Sequence, residues 1–195
     1  MNKKKLVFCM GIALSSIFST TSFAAVTGNG SGIVHFTGLI QDATCGIQTG
    51  DDNQTVNLGT VSKSEFKNIG STTAGVRFSV HLIDCPTGVA TNGKVALRFD
   101  GSQDTTNTDL LKVSTITSGT SGSNPAAGVG IGIYNLKSNT KLPLFTDSDQ
   151  QTIDYSKVPT KGTATFDFLA KYVSTATTVT SGPADADAFF TIAYN

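Results

Sequence analysis

Few residues in this chain have the types and spacing that chemistry requires. There are three cysteines, two histidines and a single glutamate, Glu65, among 195 residues. The two histidines, His35 and His81, both lie inside alternating stretches, where an imidazole serves more often as a satisfied sheet residue than as a catalyst. No G-x-S-x-G, H-E-x-x-H, C-x-x-C or Walker pattern occurs, so no nucleophile elbow, zinc helix, redox pair or phosphate loop is spelled out. Asp100, Ser102 and Asp104 imitate the opening of a calcium loop. The sixth position is Thr105 and the twelfth Leu111, where such a loop needs a glycine and a bidentate glutamate, so an ordinary polar turn is expected. Gly28-Asn29-Gly30-Ser31-Gly32 has the wrong glycine spacing for a dinucleotide fingerprint and reads as a flexible leash. The sequence therefore predicts no enzyme, no metal, no cofactor and no small-molecule substrate.

Sulfur chemistry is the exception. Cys45 and Cys85 lie 40 residues apart in a chain that opens with an export signal. Lys3, Lys4 and Lys5 form a basic start, residues 6–18 a short apolar run, and Ser22-Phe23-Ala24 a processing site, so residues 1–24 are expected to be removed. The apolar run is too short to span a membrane. In an oxidising compartment, Cys45 and Cys85 are expected to form a disulfide worth about 4 kcal/mol by the chain-entropy argument. The rival reading, a metal held by two cysteines, lacks nearby histidines. Losing the three leading lysines from a balanced 14 basic and 14 acidic residues leaves a mildly acidic chain. With no basic run, nucleic acid is not an expected partner.

The elements that would position these residues are strands. Alternation marks residues 32–45, 54–58, 76–85, 94–99, 110–113, 129–134, 163–173 and 184–195, with a short edge piece at residues 142–145 and long loops at residues 146–160 and 174–183. Val76, Phe78, Val80 and Leu82 share one face, as do Val95, Leu97 and Phe99, and Phe166, Phe168, Ala170 and Tyr172. Gly130 and Gly132 signal close backbone approach or a bend. Many short strands between turn signals predict a β-sandwich of one domain.

Both ends of this sandwich are unusual. The chain closes on a strand carrying Ala186, Ala188, Phe190, Ile192 and Tyr194 on one face, and nothing follows Asn195 to pair with it. The mature chain opens on a spare strand behind the glycine leash, with Val34, Phe36, Gly38 and Ile40 on its apolar face. An unpaired apolar edge is unstable in water, and strand addition satisfies both ends. The opening strand is therefore expected to serve a neighbouring molecule. A head-to-tail contact of that kind does not close on itself, so it builds a filament.

At this point the residues resemble a family. Gly32-x-Val34-x-Phe36-x-Gly38-x-Ile40-x-x-Ala43-x-Cys45 is similar to the opening of type 1 fimbrial subunits assembled by the chaperone–usher route. Val56-x-Leu58-Gly59, Phe78-x-Val80-x-Leu82-x-x-Cys85, Phe168-x-Ala170-x-Tyr172 and Phe190-Thr191-Ile192-x-Tyr194-Asn195 are similar to later blocks of the same family, in order. The resemblance implies an incomplete immunoglobulin-like sandwich whose missing strand leaves a groove. It implies residues 25–42 as a donor strand and residues 43–195 as the pilin domain. It also implies that a periplasmic chaperone grips Phe190, Ile192, Tyr194 and Asn195, that an outer-membrane usher exports the subunit, and that identical or related subunits follow head to tail on the cell surface. The alternative reading is a minor adaptor or a carbohydrate-binding adhesin of the same fibre. A lectin domain followed by a pilin domain needs more chain than this.

Overall fold

The computed structural model describes residues 44–114 and 124–194, which belong to one compact unit. The donor face of Val34, Phe36, Gly38 and Ile40, the export signal, and Asn195 lie outside the described residues.

The described residues form nine strands: β1 (Gly46–Ile47), β2 (Val76–Pro86), β3 (Lys94–Gly101), β4 (Leu111–Lys112), β5 (Val129–Asn135), β6 (Lys141–Leu142), β7 (Gln151–Thr152), β8 (Lys161–Ser174) and β9 (Ala188–Tyr194). They make two sheets. The larger runs β1-β2-β8-β5-β4, with β6 also on β5, and the smaller runs β7-β3-β9. All the ladders between these strands are antiparallel.

Period-two alternation explains the core. Val80 and Leu82 of β2, Ala164, Phe166, Phe168 and Ala170 of β8, and Ile131 and Ile133 of β5 turn one way and are buried. Val95, Leu97 and Phe99 of β3 are buried too. The sheets meet through aromatic rings: Phe168 and Phe99 stand edge to face with centroids 5.0 Å apart, and Phe78 lies 5.4 Å from Phe168. Such pairs add about 0.5–1.5 kcal/mol beyond their burial. Gly130 and Gly132 permit the close approach that they signalled, because a Cβ at either would press on Leu110 at 3.0 Å.

Cys85 falls out of phase with Leu82 in the sequence, yet it is fully buried. A bulge accounts for this. Leu82 pairs with Ala164 and Cys85 with Gly162, so β2 carries one extra residue, and Asp84 takes a left-handed φ of 49° there. The bulge turns Cys85 inward onto Cys45, and the two are joined as a disulfide. Gly162 faces this point because a Cβ would strike Ile153 and Tyr155.

Four expectations need correction. Residues 54–58 pair with no strand, although Val56 and Leu58 still turn inward. Their polar neighbours Gln54 and Asn57 bond elsewhere, to the Ser79 carbonyl at 2.6 Å and to the Gly59 N–H at 2.9 Å. The edge piece at residues 142–145 is strand only as far as Leu142, because Phe145 takes a left-handed φ of 62°. The loop of residues 146–160 contains β7, which pairs with β3. The last strand begins at Ala188, not at residue 184, because Asp185 is bridged to Ser114 of the neighbouring segment.

Candidate functional site

The sandwich is open along one side of β9. On its other side β9 pairs with β3, putting Phe190 opposite Phe99, Ile192 opposite Leu97 and Tyr194 opposite Val95. The β3 residues are 0–3 % exposed, whereas their β9 partners, turned toward the same core, are only half-buried. No ladder among the described residues covers the far edge of β9. Facing it across a gap is the unpaired segment of residues 54–58, with Val56 and Leu58.

Between these two walls lies a groove of about 510 Å³. Its floor is apolar and comes from both sheets: Phe78, Val80, Phe99, Ile131, Ile133 and Ala170. Phe190 rises from one wall toward this floor, its ring centroid 6.1 Å from that of Phe99. Phe189, on the same wall, is 71 % exposed. Past the start of β9 the walls continue as residues 59–66 and residues 179–185, enclosing a second basin of about 530 Å³. Tyr172 lines this basin and donates to the Ala184 carbonyl at 3.0 Å. Burial, with the Asp185 carboxylate as a smaller cause, holds the Tyr172 phenol above its ordinary pKa.

Among the described residues the groove is lined by the carboxylates of Asp51, Asp52 and Asp187 and by no histidine, cysteine, serine or lysine. His81 lies outside it, with Nδ1 2.7 Å from Asp51 Oδ2, and its backbone N–H donates to the same oxygen at 2.7 Å. That is a satisfied sheet residue which pins the loop after β1. Asp104 Oδ1 accepts from the N–H groups of Thr106 and Asn107 at 2.9 and 3.0 Å, which makes the supposed calcium loop a side-chain-capped turn. Among the described residues no group of three potential ligands could hold a metal.

Phe190, Ile192 and Tyr194 lie on one face of β9 and pack, half-buried, against the core; of the three, Phe190 lines the groove. The structure also adds what sequence reasoning missed: Val56 and Leu58 as the opposite wall, Phe78 as floor, and the second basin. The alternation of Val56 and Leu58 was visible, but not that they would stand unpaired.

A two-layer antiparallel sandwich with one apolar groove left open along its last strand is the architecture of an incomplete immunoglobulin-like domain. The comparisons name the class. The fimbrial protein family matches residues 34–195. A fimbrial subunit type 1 of Salmonella typhimurium is 38 % identical over 185 residues, covering 95 % of this chain and 92 % of the relative. The long polar fimbria protein A of Salmonella typhimurium is 35 % identical, covering 98 % of this chain and 97 % of the relative. The P pilus rod subunit PapA shares the fold at a TM-score of 0.59 and 20 % identity, covering 78 % of this chain and all of that one. A type I fimbria protein of Burkholderia pseudomallei does so at 0.55 and 29 % identity, covering 79 % of this chain and 91 % of that one. The chain belongs to the fimbrial protein family, as a structural subunit of a fimbria and not as an enzyme.

Proposed function

We propose that this chain is the major, shaft-forming subunit of a chaperone–usher fimbria and polymerises by donor-strand complementation. Residues 1–24 direct export and are removed. Residues 25–42 are the donor extension, and residues 43–195 the body that receives the extension of the next copy. The observation that carries this reading is the half-burial of Phe190, Ile192 and Tyr194 beside fully buried partners on β3.

The donor stretch fits the gap in length and in shape. β9 has seven residues, and residues 34–40 are seven. An antiparallel pairing that sets Gly38 opposite Phe190 also sets Val34 opposite Tyr194, Phe36 opposite Ile192 and Ile40 opposite Ala188. Directly opposed residues share a face, so the glycine meets the ring of Phe190 and Ile40 meets the smallest side chain, Ala188. Burying Val34, Phe36 and Ile40 contributes roughly 1.5–3 kcal/mol each. Each added ladder bond contributes about 0.5–1.5 kcal/mol net. Against a typical domain stability of ~5–15 kcal/mol, an uncomplemented subunit is barely stable. A periplasmic chaperone that lends a strand to the edge of β9 keeps it folded until the usher exchanges chaperone for donor.

The test is to refold the mature chain with a synthetic peptide of residues 28–42. Complementation raises the urea midpoint of the body, and a Phe36→Asp peptide leaves it where it was. Equal effects of the two peptides would remove the donor role of this stretch.

A further inference from the structure

The donor pairing accounts for the groove along β9 but leaves the second basin uncovered. We propose that this basin seats the junction between one copy's donor strand and its body, with Asp42 of the incoming copy paired to Lys63 of the receiving one. The proposal rests on the donor-strand reading and names what lies beyond its last apolar residue.

Alternation continues past Ile40. If residues 34–40 lie along β9 in the antiparallel sense of the other ladders, Asp42 is the next residue on the groove face and Thr44 the one after. At about 3.4 Å per residue, Asp42 lies about 7 Å and Thr44 about 14 Å beyond Ile40. That direction leads past Ala188 toward residues 183–186, into the second basin. The two walls there carry opposite charge. Lys63 lines one wall; it is exposed and takes part in no ion pair among the described residues. Asp185 lines the other, and its Oδ2 is buried with no hydrogen-bond partner. A strand bearing a carboxylate on that face complements the exposed ammonium of the basin, so Asp42 meets Lys63. The opposite orientation would bring in residues 28–32, which are glycine, serine and asparagine without a charge. Charge complementarity thus selects the orientation and fixes the register by a polar pair as well as by apolar fit. Cys45 follows Thr44 at once, so the same contact sets the angle between successive bodies.

Fibres of the full chain test this by crossed charge reversal, read as dissociation half-time in denaturant at low ionic strength. Lys63→Glu sets two carboxylates against each other, and Asp42→Lys two ammonium groups. Each is expected to shorten the half-time roughly three- to tenfold, and the double variant to restore it, because reversal of both partners rebuilds the pair. The single-variant effects should shrink in 1 M salt. If a single variant forms no fibres, rescue by the double carries the same meaning. Singles without effect, or a double as impaired as the product of the singles, overturn the pairing. The Phe36→Asp chain separates the two readings. If it still polymerises, the donor strand itself is wrong. If it does not polymerise and the reversals show no crossed rescue, only the Asp42–Lys63 contact is wrong.

Discussion

The backbone N–H of Cys45 donates to the phenol oxygen of Tyr194 at 2.9 Å. One hydrogen bond thus ties the first core residue of the body to the last described residue of the chain, 149 positions away. Tyr194 sits opposite Val95 on β3, so the bond also fastens the open edge strand to the disulfide end of the sandwich. Tyr194→Phe keeps the ring and loses only the acceptor. It is expected to cost about 0.5–1.5 kcal/mol in the complemented subunit. Tyr194→Ser also loses the packing and is expected to cost more. Urea unfolding of the peptide-complemented body measures both, and a Phe variant as damaged as the Ser variant would show that the hydroxyl matters more than the ring.

The disulfide gives a second expectation. Cys45 and Cys85 are 6 % and 0 % exposed and joined within one chain. Thiol labelling of the unreduced mature protein should therefore find no free thiol. Cys45→Ser with Cys85→Ser is expected to lower stability by about 2–5 kcal/mol. A complemented body whose urea midpoint did not move would show that β1 holds its place on β2 without the cross-link.

How much of this was legible in the sequence depends on where the determining contact lies. β3, β5, β8 and β2 as far as Leu82 are long and alternate, so their faces could be read directly; Phe166 and Phe168 are buried as their spacing requires. β7 was missed because two residues carry no period, and only its partner Lys94–Val95 makes it a strand. The segment with Val56 and Leu58 alternates like a strand, but nothing local tells whether a partner lies beside it. The Cys45–Tyr194 bond and the second basin join residues far apart in the chain, and no spacing rule reaches them. The bulge at Asp84 left a trace, since Cys85 is out of phase with Leu82. A buried cysteine off the apolar face is a signal that could have found it.

Alkaline pH probes the basin through Tyr172. Burial first, and the Asp185 carboxylate second, raise the pKa of its phenol in the folded protein. In the unfolded chain a tyrosine ionises near pH ~10. The folded state therefore holds its proton to higher pH than the unfolded state does. The stability this phenol contributes is complete below about pH 10 and declines as pH rises through the folded value. Tyr134, raised chiefly by burial, acts in the same sense. Urea midpoints between pH 8 and pH 11 should fall with pH, and Tyr172→Phe should flatten the fall. An unchanged slope in that variant would assign the alkaline loss to other groups.

Gly38 offers the sharpest test of how the opening stretch is used. In the register argued above it lies opposite Phe190, whose ring stands 6.1 Å from Phe99 at the groove floor. A side chain at position 38 of the donor would occupy the space that this ring fills. On the donor-strand reading residues 34–40 complete the core of the preceding molecule, so the body of the same molecule should be unaffected. Gly38→Arg is therefore expected to yield a subunit that folds, accepts a donor strand and fails to donate its own. Co-expressed with wild type, it should be left out of fibres except as the first copy, since every later copy joins by inserting its own extension. Gly38→Leu should be milder, and trimming the opposing ring with Phe190→Ala should restore its donation, because the cavity left by the ring takes the new side chain. The share of each tagged variant within purified fibres, located by immunogold electron microscopy, reads all three. Fibres of full length carrying Gly38→Arg at internal positions would remove residues 34–40 from the donor role, and failure of Phe190→Ala to rescue Gly38→Leu would move the register along β9 while leaving the donor in place.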